Sequence, residues 1–226
     1  MIPLAKYGLR EMLIATGVCG MLTVGCVLTF APAAVAPIGL WAAVLLFFRD
    51  PPRRSSAENV LLSPADGTVT DITALSADSE LGVEGVRIGI FMSVLNVHVN
   101  RSPFDAEVES VTHREGGFLD ARDSRAGDTN ESATIRLRCR WGRREFPLIV
   151  RQVAGKIARR IVTDLTVGEL ISAGQRIGMI KFGSRVELWA PKEVAENVAV
   201  SVGDKVRAGT TILAVLPEPT SKQEST

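Results

Sequence analysis

Three residues of this 226-residue chain, Ser184, His98 and Asp66, have side chains suited to activating a hydroxyl for attack on a carbonyl. Ser184 follows Gly183 between two apolar, β-prone segments. A serine hydroxyl is a weak nucleophile until a base takes its proton. Gly183 has no Cβ, which leaves its carbonyl open and tolerates a strained backbone. The Gly-Ser pair is therefore a candidate site of self-cleavage, although such a pair also forms ordinary tight turns.

His98 is a candidate general base, because an imidazole with a pKa of about 6.5 can accept a hydroxyl proton at neutral pH. A histidine near an apolar strand is also a common packing residue. Asp66 lies in a turn at residues 63–67, where its carboxylate could orient the imidazole or bond its own backbone. Together with Ser184 the two could form a Ser-His-Asp relay, for which geometry matters and chain order does not.

The domain that must position these residues has the pattern of a mainly β fold. Beyond Val60, turn signals separate short β-prone segments, and helical periodicity is almost absent. The turns at residues 63–69 and 202–210 are similar, and the second resembles turns of biotinyl- and lipoyl-type domains. We expect a compact β-sandwich of the barrel-sandwich type. The predicted strands cover residues 67–72, 86–92, 107–112, 133–139, 145–153, 176–182, 186–190 and 211–216.

Residues 1–49 have the composition of a membrane anchor. An uncharged run at 12–30 is long enough to cross a bilayer. A second run at 33–48 is short and contains Pro37, so it could span a thinned bilayer or form a re-entrant segment. We predict a helical hairpin of two apolar helices, with its loop at residues 31–34 on the far side. A cleaved signal peptide is the alternative, but cleavage would leave the second run exposed.

Basic residues lie on both sides of the apolar runs, with Lys6 and Arg10 before them and Arg49 after them. Such flanks favour both ends on the cytoplasmic side of the cell membrane. Two prolines and small polar residues then indicate a linker at residues 50–59. The β-rich catalytic domain is expected to cover residues 60–226.

Charge and cysteine content exclude several classes of function. The 26 basic and 25 acidic residues give a net charge of +1, which offers no basis for a nucleic-acid partner. Cys19, Cys26 and Cys139 form neither a disulfide framework nor a metal-ligand spacing, so we predict no metal site. A reducing, cytoplasmic environment is the simpler assumption.

Six segments spread along almost the whole chain form a specific series: FFRDP at 47–51, SPADG at 63–67, MSVLNVHVNR at 92–101, FLDA at 118–121, QVAGKIARRIV at 152–162 and GMIKFGSRV at 178–186. This series resembles the pyruvoyl-dependent phosphatidylserine decarboxylases, in the short, archaeal-type form that bacteria also use. In one respect the chain departs from the longer bacterial and mitochondrial members, which carry two histidines three residues apart, because Arg101 stands three residues after His98.

The resemblance implies a proenzyme that matures by serinolysis. Ser184 would attack the Gly183 carbonyl, with His98 as base and Asp66 orienting it. Elimination would leave a β chain, residues 1–183, associated with an α chain, residues 184–226. Ser184 would become a covalent pyruvoyl cofactor that forms a Schiff base with phosphatidylserine in the bilayer and yields phosphatidylethanolamine and carbon dioxide.

Four further residues are expected near the substrate: His113, Arg101, Arg159 and Arg160. Arginine suits phosphate recognition, and Arg159 and Arg160, like Arg53 and Arg54, could attract a lipid phosphate. The alternatives are arginines that solvate turns and, for His113, a surface histidine.

Two functions of other classes remain open from the sequence. One is a biotinyl- or lipoyl-type carrier using Lys181, although Lys181 is followed by Phe-Gly-Ser and not by the flank that a carrier hairpin needs. The other is a non-catalytic, membrane-anchored β domain that binds a partner.

Overall fold

The computed structural model describes residues 3–53, 58–117, 119–123, 125–155, 160–181 and 183–217. Over these residues the chain is mainly β, which confirms the predicted fold class. The strands are β1 (Val60–Leu62), β2 (Gly67–Leu75), β3 (Gly85–Met92), β4 (Val99–Arg101), β5 (Ala106–Arg114), β6 (Ser132–Trp141), β7 (Arg144–Ala154), β8 (Arg160–Thr163), β9 (Leu170–Ile171), β10 (Arg176–Lys181), β11 (Ser184–Pro191), β12 (Asn197–Val198), β13 (Lys205–Val206) and β14 (Ile212–Val215).

The strands form one large sheet and two small ones around a main apolar core. The large, curled sheet has the strand order β13-β2-β3-β11-β7-β6-β5-β9. The small sheets have the orders β1-β14-β12 and β4-β10-β8. Ile90, Ile135 and Val186 of the large sheet meet Leu213 of β14 and Ile180 of β10 in this core. The small sheets therefore pack against one face of the large one, as expected for a layered β domain.

β11 is an inner strand of the large sheet and carries Ser184 at its first position. It pairs antiparallel with β3 and β7, so that Ser184 lies opposite Met92 on one side and Ala154 on the other. All eight residues of β11 are buried. Hydrogen bonding on both sides fixes the position of Ser184 more firmly than an edge strand or a loop could.

The face of β11 turned away from the main core carries buried charges. The Arg185 guanidinium bonds Glu187 at 2.8 Å and Asp71 of β2 at 2.8 Å. A Cβ on Gly127 would lie 2.5 Å from a Glu187 carboxylate oxygen, so this glycine allows the α3 turn (Ala126–Thr129) to cover the pair. Mutual pairing offsets the cost of removing such charges from water.

Helical residues follow one another from Lys6 to Phe47, with one non-helical backbone conformation at Phe30 (φ −150°, ψ 89°), and this is the one helical stretch of the described chain long and apolar enough to cross a membrane. It comprises a short 3-10 helix (Lys6–Gly8), α1 (Leu9–Phe30), a 3-10 turn (Ala31–Ala34) and α2 (Val35–Phe47). This differs from the predicted pair of separate helices, because helical residues continue through the expected loop. Pro37 interrupts nothing, since it lies in the first turn of α2, where a missing N–H leaves no bond unmade.

The chain nevertheless returns to the level at which the helical region begins. α1 and α2 are in contact, and the Trp41 indole N–H donates to the Thr16 hydroxyl at 3.0 Å. Leu4 and Arg49 then form an antiparallel bridge. Both ends of the helical region therefore meet the β domain at the same place.

A second apolar cluster joins this helical base to the β domain. Gly8 allows the closest approach, because a Cβ there would lie 2.0 Å from the Phe48 ring. The cluster consists of Ala5, Met12, Phe47 and Phe48 from the N-terminal region, with Val97, Val99 and Met179 from the domain.

Asp50 adds a polar connection at the same junction. Its buried carboxylate pairs with Arg101 of β4 at 2.7 Å and also with Arg176 of β10. Its backbone N–H donates to the Pro3 carbonyl at 2.7 Å. Asp50 thus holds the segment after α2 against two strands of one small sheet.

Replacing Asp50 with alanine is expected to lower the free energy of unfolding by about 3–5 kcal/mol, because the buried Arg101 guanidinium would lose its counter-charge. Glu145→Ala is the matched control, since the Glu145–Arg140 pair at 2.7 Å is more than half exposed and pairs of that kind contribute about 1 kcal/mol or less. Denaturant unfolding in detergent, with both variants made in an uncut Ser184→Ala background, measures both changes. Equal small losses in the two variants would contradict the structural role of Asp50.

Candidate functional site

The candidate nucleophile, Ser184, is completely buried. Its hydroxyl donates to the Met92 thioether sulfur at 3.5 Å. A thioether is a weak acceptor, so this bond restrains the hydroxyl only slightly. Ser184 Oγ can therefore rotate toward the preceding carbonyl at little cost.

Gly183 and Gly155 bring two backbone segments unusually close at that carbonyl. Gly183 has φ +42°, in the left-handed region that side chains disfavour. A Cβ on Gly155, the residue after β7, would lie 2.0 Å from the Gly183 carbonyl oxygen. The position also faces the Ala121 methyl at 3.2 Å. Only glycine at position 155 leaves room for this carbonyl, a role that the sequence analysis did not assign.

His98 is buried and has one free ring nitrogen. Nδ1 lies 2.9 Å from the Asn96 carbonyl oxygen, which can only accept, so Nδ1 carries the proton. Nε2 is buried and has no hydrogen-bond partner among the described residues. The Phe47 ring packs against the imidazole at 4.4 Å between centroids. The lone pair on Nε2 is thus available to accept a proton.

Burial lowers the pKa of His98 from 6.5 to about 4, and the nearby Arg49 guanidinium acts in the same direction. The Asn96 carbonyl opposes this shift by its hydrogen bond. The folded protein therefore holds His98 neutral at pH 7, in the form that can act as a base.

The same shift predicts a pH dependence of stability. The unfolded chain binds a proton at His98 near pH 6.5 and the folded chain only near pH 4, so stability falls as the pH drops through this window, by about 3 kcal/mol in all. Thermal unfolding in a Ser184→Ala background, which keeps the chains covalently identical, should show a shallower acid loss for His98→Asn. The exposed-histidine control, His113→Asn, should follow the parent. Coincident pH profiles for the His98 variant and the parent would refute the shift.

Asp66 is occupied by contacts other than the one predicted. One carboxylate oxygen accepts a bond from Arg53 at 2.9 Å, and the other accepts the Ala208 N–H at 2.7 Å. β13 pairs with the start of β2, so the two turns that look alike in the sequence lie together here. Asp66 thereby joins chain segments on either side of Ser184.

The position of its turn explains why Asp66 does not bond His98. The backbone N–H of Arg101 donates to the Pro64 carbonyl at 2.9 Å, which places the turn beside the last residue of β4. His98 precedes the same strand, about 10 Å away at roughly 3.3 Å per residue. The Asn96 carbonyl takes the orienting position at Nδ1 instead. A part for Asp66 in the relay stays a prediction.

Buried amides that the sequence analysis missed lie near Ser184. The Asn100 side-chain nitrogen, Nδ2, lies 3.7 Å from the same Met92 sulfur. The Asn100 side-chain oxygen, Oδ1, accepts a hydrogen bond from the Gln152 side-chain N–H at 2.8 Å. Gln152 in turn accepts the Thr163 hydroxyl at 3.0 Å. Amide groups of this kind can stabilise charge that develops in a water-free site.

The structure gives Arg101 a structural contact in place of the expected substrate contact. Its guanidinium bonds Asp50 at 2.7 Å and the Gly174 carbonyl at 2.9 Å, and it is buried. The counter-charge of Asp50 directs it toward the linker, so it does not serve as a free phosphate ligand here.

Of the other residues expected near the substrate, the structure describes His113 and Arg160. His113 is exposed on β5, opposite Ala133 of β6. Arg160 is exposed at the start of β8, opposite Lys181. Arg159 and Arg54 lie outside the described residues.

Comparison with known proteins gives one consistent result. The sequence model of the phosphatidylserine decarboxylase family matches residues 40–214. The chain is 45% identical over 175 residues to a phosphatidylserine decarboxylase proenzyme of Geobacter metallireducens, covering 77% of this chain and 78% of that protein. It is 39% identical over 216 residues to the proenzyme of that name from Rhodopirellula baltica, covering 94% and 88%. A third, from Salinibacter ruber, is 39% identical over 211 residues, covering 91% and 90%.

Proposed function

The chain belongs to the phosphatidylserine decarboxylase family, and we propose that it matures by cutting its own backbone between Gly183 and Ser184. It is a phosphatidylserine decarboxylase in its proenzyme form. The observation that carries the cleavage proposal is a fully buried serine hydroxyl next to a left-handed glycine, whose carbonyl packs against Gly155. Membership of the short, archaeal-type form stays a prediction.

Cleavage begins with attack of the Ser184 hydroxyl on the Gly183 carbonyl carbon. His98 Nε2 accepts the hydroxyl proton and returns it to the leaving amide nitrogen, so the amide becomes an ester and Ser184 gains a free amine. Removal of the Ser184 Cα proton then expels the Gly183 carboxylate and leaves a dehydroalanine. Tautomerisation and addition of one water release ammonia and leave a ketone at residue 184.

The residues around Ser184 fit the pyruvoyl cofactor that this family uses. When present, this group supplies a carbonyl that draws electrons from the bond to the departing carboxylate. The buried surroundings of Ser184 exclude water, which strengthens electrostatic stabilisation. The unpartnered His98 Nε2 could accept the proton that the headgroup ammonium must lose and later pass it to the product carbon, and the buried Asn100 amide beside Met92 could orient substrate.

The products of cleavage are a β chain of residues 1–183 and an α chain of residues 184–226, which stay together as a heterodimer. β11 lies between β3 and β7, while β13 pairs with β2 and β14 with β1. Four strands of the β chain therefore hold the α chain after the bond is broken.

The membrane placement is part of the same proposal. The apolar helical region anchors the protein in the cell membrane, and basic residues at both its ends favour a cytoplasmic catalytic domain. Its base packs against the strand that follows His98, so the site lies near the surface where phosphatidylserine headgroups are presented. Residues 1–49 thus form the anchor, 50–59 the linker and 60–226 the catalytic domain.

A denaturing gel with mass spectrometry of protease-free, purified protein tests the cleavage. We expect two chains, with the smaller beginning at residue 184 and lacking a free amine. A single chain of full length that decarboxylates phosphatidylserine would overturn the proposal. An intact chain with added mass would favour the carrier, and an intact, unmodified and inactive chain the binding domain.

Gly155→Ala is expected to slow self-cleavage by about 10²-fold, because displacing the Gly183 carbonyl by about 1 Å ruins its alignment with Ser184. Gly117→Ala is the control, since a Cβ there meets its nearest neighbour at an ordinary 3.6 Å. The time course of chain cutting after synthesis is measured, together with Tm to establish folding. A folded Gly155→Ala protein cut at the parent rate would remove any positioning role for this glycine.

A further inference from the structure

Two apolar side chains project from the turn between β3 and β4. Val94 is 47% exposed and Leu95 is 83% exposed. Polar bonds fix the turn, with the Ser93 N–H and hydroxyl bound to the Asn96 side-chain oxygen at 2.8 Å and 2.7 Å. Turn tips ordinarily carry polar or small residues. This turn instead presents two apolar groups on an ordered backbone.

The turn lies against the base of the helical region, where α2 ends next to the β domain. Arg49, just after α2, donates one guanidinium N–H to the Leu95 carbonyl and another to the Leu46 carbonyl at 2.6 Å. Leu46, in the last turn of α2, is itself 54% exposed. The apolar surface of α2 therefore continues through Leu46 onto the tip of the turn, with the Arg49 charge between them.

The same turn connects the two sides of the candidate site. It begins after Met92, whose sulfur accepts the Ser184 hydroxyl, and it ends before His98, which packs against Phe47. A surface that binds the tip of this turn would therefore also set the distance of Ser184 and His98 from that surface.

We propose that Val94 and Leu95 insert into the bilayer interface beside the helical region. This rests on the proposed function, in which that region lies in the membrane. A lipid surface fits better than a protein partner, because the patch continues an apolar helix long enough to span a bilayer. Arg49 can reach anionic headgroups while its stem stays in the apolar layer. Insertion would present serine headgroups at the level of the active site.

Depth-dependent quenching tests the insertion. Full-length Leu95→Cys protein, with Cys26 replaced by alanine, is labelled with an environment-sensitive fluorophore and reconstituted into phosphatidylcholine–phosphatidylglycerol vesicles. Insertion should shift the emission of the fluorophore at position 95 to the blue. Lipids spin-labelled near the headgroup should also quench that emission. Leu170→Cys is the control, since Leu170 is 80% exposed on β9. Equally weak quenching at positions 95 and 170 would overturn the proposal. A blue shift without quenching would also overturn it, because it would indicate that a protein partner or a second copy covers the turn.

Kinetics with two substrate forms provide a second test. Leu95→Asp is expected to lower kcat/KM about fivefold to tenfold for bilayer phosphatidylserine, a change of the size of one weakened contact. Activity on a monomeric, short-chain phosphatidylserine and the two-chain pattern on a gel should not change. Leu170→Asp should alter neither. An equal loss on both substrates would overturn the inference, whereas a parent protein that leaves the vesicles or stays uncut would overturn the proposed function instead.

Discussion

A Ser184→Ala protein is expected to run as a single full-length chain and to have no decarboxylase activity. Position 184 would keep its place between β3 and β7, but no oxygen would remain to attack the Gly183 carbonyl. Both the cut and the ketone depend on that one oxygen. The two losses should therefore be complete and should appear together.

Ser201→Ala is the matched control, because Ser201 is an exposed serine of the same C-terminal segment. It should be cut and active like the parent. Denaturing gels, intact mass and carbon dioxide release from labelled phosphatidylserine measure the outcome. If Ser184→Ala protein were still cut at the same bond, another residue would have to supply the nucleophile and serinolysis by Ser184 would be wrong.

A His98→Ala protein is expected to cut itself about 10² to 10⁴ times more slowly, the usual contribution of a positioned base. The buried Nε2 has no hydrogen-bond partner among the described residues, so no neighbouring group there competes for its lone pair. Water is a poor substitute in a site where Ser184 has no exposed surface. Uncut chain should accumulate in proportion to the lost rate.

The second histidine gives the comparison for that experiment, since His113→Ala alters an exposed side chain on β5. Activity per cut chain should be measured as well as the rate of cutting. A fall in activity per cut chain would assign His98 a second part in turnover, while cutting at the parent rate would exclude it as the maturation base.

Local patterns in the sequence were sufficient to predict the longer strands. The segment predicted at 145–153 lies within β7, and that predicted at 186–190 lies within β11. The two-residue strands β9, β12 and β13 are too short to produce an alternating pattern. The helix at residues 31–34 was missed because proline and alanine are compatible with both a loop and a 3-10 turn.

The candidate site was predicted only as far as residue chemistry allows. Ser184, Gly183 and His98 stand out by type, whereas the nearness of Gly155 to the Gly183 carbonyl depends on the register of β7 against β11. The predicted Asp66–His98 bond is not made, because Arg53 and Ala208 hold the carboxylate elsewhere. Such long-range placement leaves no local trace in a single sequence.

β11, β13 and β14 pair with strands that precede residue 184, so the proposed cut would make folding of the chain irreversible. The uncut polypeptide can fold as one molecule, and it must do so before its site exists. Once divided, a denatured enzyme could recover its structure only if two separate fragments met again, so renaturation would become bimolecular and compete with aggregation. On the proposed cleavage, the mature protein would be preserved by slow unfolding and not by repeated refolding.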